Sequence, residues 1–105
     1  MIAKTFKIPY YAVVFTSLRV EDENSYSEMA DSMMELAEIQ PGFLGAESVR
    51  NGFGITVSYW ESIAAIEKWR SHPAHLIAQE RGKKNWYEKY AIRICKVESD
   101  SFFEK

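Results

Sequence analysis

Cysteine occurs once in this chain, at Cys95, so no intrachain disulfide can form and a reducing compartment is the natural setting. No apolar run approaches the roughly 18 residues of a membrane-spanning helix, and the first residues lack the apolar core of a secretory signal. A cytoplasmic protein with no membrane partner is therefore expected. A surplus of positive charge is also missing. The 13 basic residues are outnumbered by 15 acidic ones, and the local basic group Arg81, Lys83 and Lys84 sits beside Glu80 and Glu88. That balance argues against nucleic acid as a partner. No glycine-rich phosphate loop, nucleophile elbow or paired-carboxylate motif is present, which speaks against nucleotide cofactors. His72 and His75 are spaced like a metal pair, but Pro73 lies between them and no cysteine or carboxylate partner follows at ligand spacing, so no metal is expected.

Hydrophobic residues make up 47% of the chain and aromatic residues 14%, an ordinary globular composition. The 105 residues form one domain, with a core over about 9–98 and a polar tail over 99–105 that carries Phe102 and Phe103. A lone domain of this size buries only about two-thirds of the surface its unfolded chain exposes, so self-association would add useful burial.

Residues 10–18 are rich in strand formers and apolar on both alternating sets: Tyr11, Val13 and Phe15 on one side, Tyr10, Ala12 and Val14 on the other. Such a strand needs cover on both faces. Helices can supply one cover, and a second copy of the chain is the economical source of the other. Ser25 and Glu28 read as a capping box, and Tyr26, Met29, Ala30, Met33, Leu36 and Ala37 follow as one helical stripe. Met29, Met33 and Met34 are read as core. Pro41-Gly42 ends the helix, residues 43–50 form a second strand, Asn51-Gly52 a turn, and residues 54–60 a third strand. Ser62 caps a second helix with Ile63, Ile66 and Trp69 on its apolar face. Pro73 opens a third helix, expected to run to about Tyr87 with packing from Ala74, Ile77 and Ala78. Residues 90–97 make the last strand, in which Cys95 reads as a small buried residue. The order βαββαβ is the ferredoxin-like α+β plan, an antiparallel sheet with helices on one face.

At Pro41-Gly42-Phe43-Leu44-Gly45, at residues 55–62 (Ile-Thr-Val-Ser-Tyr-Trp-Glu-Ser) and at Ala65-Ile66-Glu67-Lys68-Trp69, the chain resembles the antibiotic biosynthesis monooxygenase (ABM) family. The resemblance continues through His75, residues 79–82 and Trp86-Tyr87. It implies a dimeric α+β barrel, in which two ferredoxin-like units pair sheet to sheet as a homodimer. It also implies cofactor-independent oxygenation of a small aromatic or polyketide-like compound. A non-catalytic barrel that binds a small apolar ligand is the alternative. Haem binding or degradation is a further one, because Trp69 matches a tryptophan shared with haem-degrading relatives. From their pattern the chain departs twice: residues 10–18 hold no asparagine, and Gln79 stands where they carry a ligating histidine.

His75, Gln79, Gly82 and Trp86 stand at i, i+4, i+7 and i+11, one line of a continuous helix. A polar and aromatic line broken by glycine suits a pocket wall, since glycine admits a flat ligand to the backbone. A solvated face with a break at Gly82 fits the same spacing. His75 is the general-base candidate, because an imidazole titrates near neutrality and can take a phenolic or enolic proton. Trp69 is read as a packing residue that also lines the pocket, Tyr59 as a hydroxyl donor to a substrate oxygen, and Trp60 as a strand-end or interface anchor.

Overall fold

A computed structural model describes residues 2–20 and 26–105. Ser25 of the expected capping box lies outside the described residues. The elements are β1 (Tyr10–Arg19), α1 (Tyr26–Glu38), β2 (Phe43–Asn51), β3 (Phe53–Trp60), α2 (Ile63–Arg70), α3 (Pro73–Arg81) and β4 (Tyr87–Val97), with a single π-helical turn (Gly82–Trp86) between α3 and β4. The strands form one antiparallel sheet in the order β2-β3-β1-β4. This is the ferredoxin-like plan. No helix among the described residues is long and apolar enough to cross a membrane.

Local chemistry explains most boundaries. Pro41 and Gly42 occupy the centre of a turn closed by the Phe43 N–H on the Gln40 carbonyl at 3.2 Å, and Gly42 takes φ +88°, the left-handed value such a turn demands. Gly42 also lies against α2: a Cβ there would stand 2.6 Å from the Ala65 Cβ. The Ser62 hydroxyl accepts from the Ala65 N–H at 3.0 Å, and the His72 Nδ1 accepts from the Ala74 N–H at 3.1 Å with Pro73 next to it. Each cap satisfies an orphan donor at a helix start.

The register sorts the side chains. Trp60 pairs with Tyr11 across the sheet and stacks on Trp69 of α2, so Tyr11, Val13, Phe15 and Ser17 share the helix face with Trp60. Tyr10, Ala12, Val14, Tyr59 and Val57 lie on the opposite, open face. Two irregularities adjust this alternation. Between Phe43 and Gly45 the extra residue Leu44 lets Phe43 pack on Trp60, and between Lys89 and Tyr87 a second one brings both Tyr87 and Tyr90 to the helix face.

Three expectations are corrected. The third helix ends at Arg81, not near Tyr87: the Tyr87 N–H donates to the Gly82 carbonyl five residues back, which widens the last turn, and Tyr87 is already extended. Cys95 is exposed on the open face of the edge strand β4 instead of buried. Ile77 is 56% exposed and adds little packing. The open face also has a cover that the strand pattern did not reveal. The segment before β1 crosses one end of it, where Phe6 packs edge-on against Tyr10 at 5.3 Å and the Ala3 N–H reaches the Glu47 carboxylate at 2.8 Å. The tail contributes Asp100, which accepts from the Tyr10 hydroxyl at 2.6 Å.

Candidate functional site

The helix face of the sheet is closed at its ends and open in the middle. At one end Trp60 and Ile66 are fully buried; at the other Ser17, Gly54, Gly82 and Trp86 are buried. Between them Val13 and Phe15, on the central strand β1, are only half-buried, as are Met29, Met33 and Met34 of α1. Apolar side chains in that position are ordinarily sealed. The middle of the helix face is thus an unsealed apolar strip, or cleft, between two closed ends. Met29, Met33 and Met34, read from the sequence as core, are thus not sealed.

Aromatic rings furnish both ends. At the first, Phe43, Trp60, Trp69 and His75 form a column: Phe43 lies edge-on to Trp60 at 5.3 Å, Trp60 stacks on Trp69 at 6.4 Å, and His75 stacks on Trp69 at 4.7 Å. The Nδ1 of His75 is buried without a hydrogen-bond partner. No other described side-chain polar atom shares that condition, and an unpaired buried polar atom costs about 1–3 kcal/mol. Burial pushes the imidazole pKa below its ordinary 6.5; a backbone contact to Arg70 opposes the shift without completing a bond to Nδ1. The ring is thus neutral at neutral pH. His72 is committed to capping α3.

At the second end Tyr87 is wedged among Phe15 (5.4 Å), Tyr90 (5.6 Å) and Tyr26 (5.8 Å), and its hydroxyl donates to that of Tyr26 at 3.3 Å. Trp86 packs edge-on to Tyr26 at 5.6 Å. The flat group lying against Gly82 is the Tyr87 ring itself: a Cβ on Gly82 would meet its Cε2 at 2.7 Å. Burial raises the Tyr87 pKa, helped by the bond to Tyr26 and opposed by the positive charges of Arg50 and Arg19.

The structure thus joins Trp69 to His75 at one end and Gly82 to Trp86 at the other. Gln79 is half-buried on α3. Because the π-helical turn interrupts the helix after Arg81, the four residues do not continue as one straight line. Tyr59 is separated from His75 by the sheet: its hydroxyl donates to Glu47 at 2.5 Å, and burial first, then that bond, pushes its pKa up to about 12. Sequence reasoning passed over Ser17, Arg50, Tyr87 and Tyr90. The signal for Tyr87 and Tyr90 is a pair of tyrosines three apart, which share a face only if a bulge intervenes. Of two surface concavities, the one of about 430 Å³ over Thr16, Ser17, Leu18, Phe53, Tyr90 and Arg93 meets the second end at Ser17 and Tyr90, and the one of about 320 Å³ over Phe6, Pro9, Leu44 and Glu61 lies elsewhere; neither includes Trp69 or His75. Among the described residues no three His, Cys, Asp or Glu side chains gather closely enough to hold a metal ion.

Comparison with known proteins agrees with this architecture. The uncharacterized protein YqjZ of Bacillus subtilis is 50% identical over 106 residues, covering 99% of this chain and 93% of that one. The jasmonate monooxygenase ABM of Pyricularia oryzae is 30% identical over 95 residues, covering 83% of this chain but 43% of that longer protein. A crystallised variant of SnoaB, a cofactor-independent oxygenase from Streptomyces nogalater, has the same fold at a TM-score of 0.75 and 10% identity, covering 87% of this chain and 95% of that one. The family described as antibiotic biosynthesis monooxygenase matches residues 9–81, well over half of the sequence, and the chain belongs to that family.

Proposed function

We propose that the protein is an oxygenase of the ABM type that acts, without a bound cofactor, on a small aromatic or polyketide-like compound held in the cleft between sheet and helices. The observation that carries this reading is the half-buried imidazole of His75, stacked on Trp69 with its Nδ1 buried and without a hydrogen-bond partner. A polar atom left unpaired at such a cost calls for an explanation, and a proton-accepting role supplies one. In the reaction a neutral His75 takes a phenolic or enolic proton. The electron-rich anion then reduces oxygen directly, one oxygen atom entering the product and the other leaving as water. Trp69 holds the substrate's flat face, Gln79 offers an amide, and Gly82 and Trp86 seat the tyrosine cluster at the far end. The relatives named as a jasmonate monooxygenase and a cofactor-independent oxygenase support the reaction class.

The experiment is oxygen uptake with a panel of electron-rich phenols, comparing the wild type with His75→Ala and with His75→Gln as a fold control. Loss of about 10²-fold or more in rate is expected for removal of a general base. Absence of uptake in the wild type, or an unchanged rate in both variants, rules the assignment out.

The open face supports a homodimer. Val49 is 66% and Phe53 is 52% exposed there, Val14 and Val57 are half-buried, and the chain's own segment covers only the Tyr10 end. Pairing of two such faces buries this surface. Sedimentation should give a dimer at micromolar concentration; a stable monomer would refute it.

A further inference from the structure

The second end of the cleft holds an arrangement of charge that oxygenation does not call for. Arg50 pairs with Gly54 across the β2–β3 hairpin, on the helix face. Its guanidinium lies flat over that glycine, where a Cβ would stand 2.3 Å from Nη2 and 2.6 Å from Cζ. The same Nη2 donates to the Ser17 hydroxyl at 3.2 Å, and Ser17 is only 3% exposed. The guanidinium carbon is 5.8 Å from the Tyr26 ring, over which Arg19 also sits at 4.1 Å. Among the described residues no carboxylate pairs with Arg50. Four of its five N–H donors have no protein acceptor there, and the residue is exposed to incoming ligand. The neighbouring Tyr87 stays protonated, so its phenol is a dipole and not a competing anion.

We propose that Arg50, seated by Gly54 and Ser17, binds the carboxylate of an organic acid whose apolar body extends along Phe15, Tyr87 and Tyr90 into the cleft. This rests on the reading of that cleft as the substrate site, and narrows its ligand to an apolar or aromatic carboxylic acid. An arginine fork matches a carboxylate with two parallel hydrogen bonds, which a neutral amide of the same shape cannot match in strength.

The test is calorimetric titration with cinnamate and with its neutral isostere cinnamamide. Cinnamate should bind about tenfold or more tightly than the amide, with a preference that shrinks as salt is raised. Arg50→Gln should abolish the preference while leaving cinnamamide affinity within about twofold. Gly54→Ala is the second variant: it keeps the charge but evicts the guanidinium from its seat, and it too should abolish the preference in a folded protein. No binding of cinnamate, equal affinities in the wild type, or a preference retained in both variants overturns the proposal. Oxygen uptake is read separately. A carboxylate preference without uptake upholds the Arg50 site and removes the oxygenase reading, whereas uptake of neutral phenols without a carboxylate preference does the reverse.

Discussion

Replacing Gly82 by alanine sets two effects against each other, and the geometry decides between them. Gly82 is helical, with φ -60° and ψ -49°, so alanine meets no backbone strain and helix propensity favours it by about 1 kcal/mol. Against this, the new Cβ would lie 2.7 Å and 2.8 Å from two carbons of the Tyr87 ring. That ring has little room to give, because Phe15, Tyr26 and Tyr90 enclose it and its hydroxyl is bonded to Tyr26. Overpacking of this kind costs about 1–3 kcal/mol, so the net effect is a loss of about 1 kcal/mol. For a domain of this size that lowers the melting midpoint by about 4–8 °C. With Tyr87→Ala in the background the clash is gone and the sign reverses: Gly82→Ala then stabilises by about 1 kcal/mol. Urea denaturation followed by tryptophan fluorescence measures all four corners of the cycle. A Gly82→Ala protein as stable as its counterpart in the Tyr87→Ala background predicts, with no coupling between the sites, would refute the reasoning.

Gly42→Ala combines a left-handed φ, costing about 1–2 kcal/mol, with a 2.6 Å approach to Ala65, so a loss of about 2–5 kcal/mol is expected in the same denaturation assay. His75 makes stability depend on pH. Its folded-state pKa lies below the ordinary 6.5, so in the window between the two values the unfolded chain binds more protons and stability falls as pH is lowered. Above about 6.5 this contribution is flat, and His75→Gln should remove the slope. Glu47 is also depressed, chiefly by its bond to Tyr59, but its loss of stability begins below its ordinary 4.5 and separates from that of His75. Tyr59→Phe should cost about 1 kcal/mol through the lost bond to Glu47. Since the sheet separates it from His75, oxygen uptake should change less than about twofold, and a large loss of rate would place Tyr59 in the reaction after all.

The readable parts of this chain share a cause: each is fixed by neighbours in sequence. Pro41-Gly42 sets a turn by its own dihedrals, Ser62 and Pro73 mark helix starts through bonds that span two or three residues, and strand alternation follows from the backbone pleat. The parts that escaped reading depend on register between distant segments. A two-residue turn at Asn51-Gly52 would set Arg50 opposite Phe53; the observed turn is centred on Gly52 and sets it opposite Gly54, on the helix face. The residue added near Glu88 turns Tyr87 inward, and Tyr87 then fills the space beside Gly82 that the helical spacing offered to a ligand. Cys95 depends on topology in the same way, because its exposure follows from β4 being an edge strand.

By itself the sequence determined the βαββαβ order and the family, since local periodicity, short-range caps and the family's motif residues suffice for these. Only the tertiary structure decided which groups meet. It isolated His75 Nδ1 from any partner, moved Tyr59 to the far side of the sheet, and brought Arg50, Ser17 and Tyr26 together from three separate elements. Those outcomes rest on strand register and bulges, where a shift of one residue exchanges the two faces of the sheet.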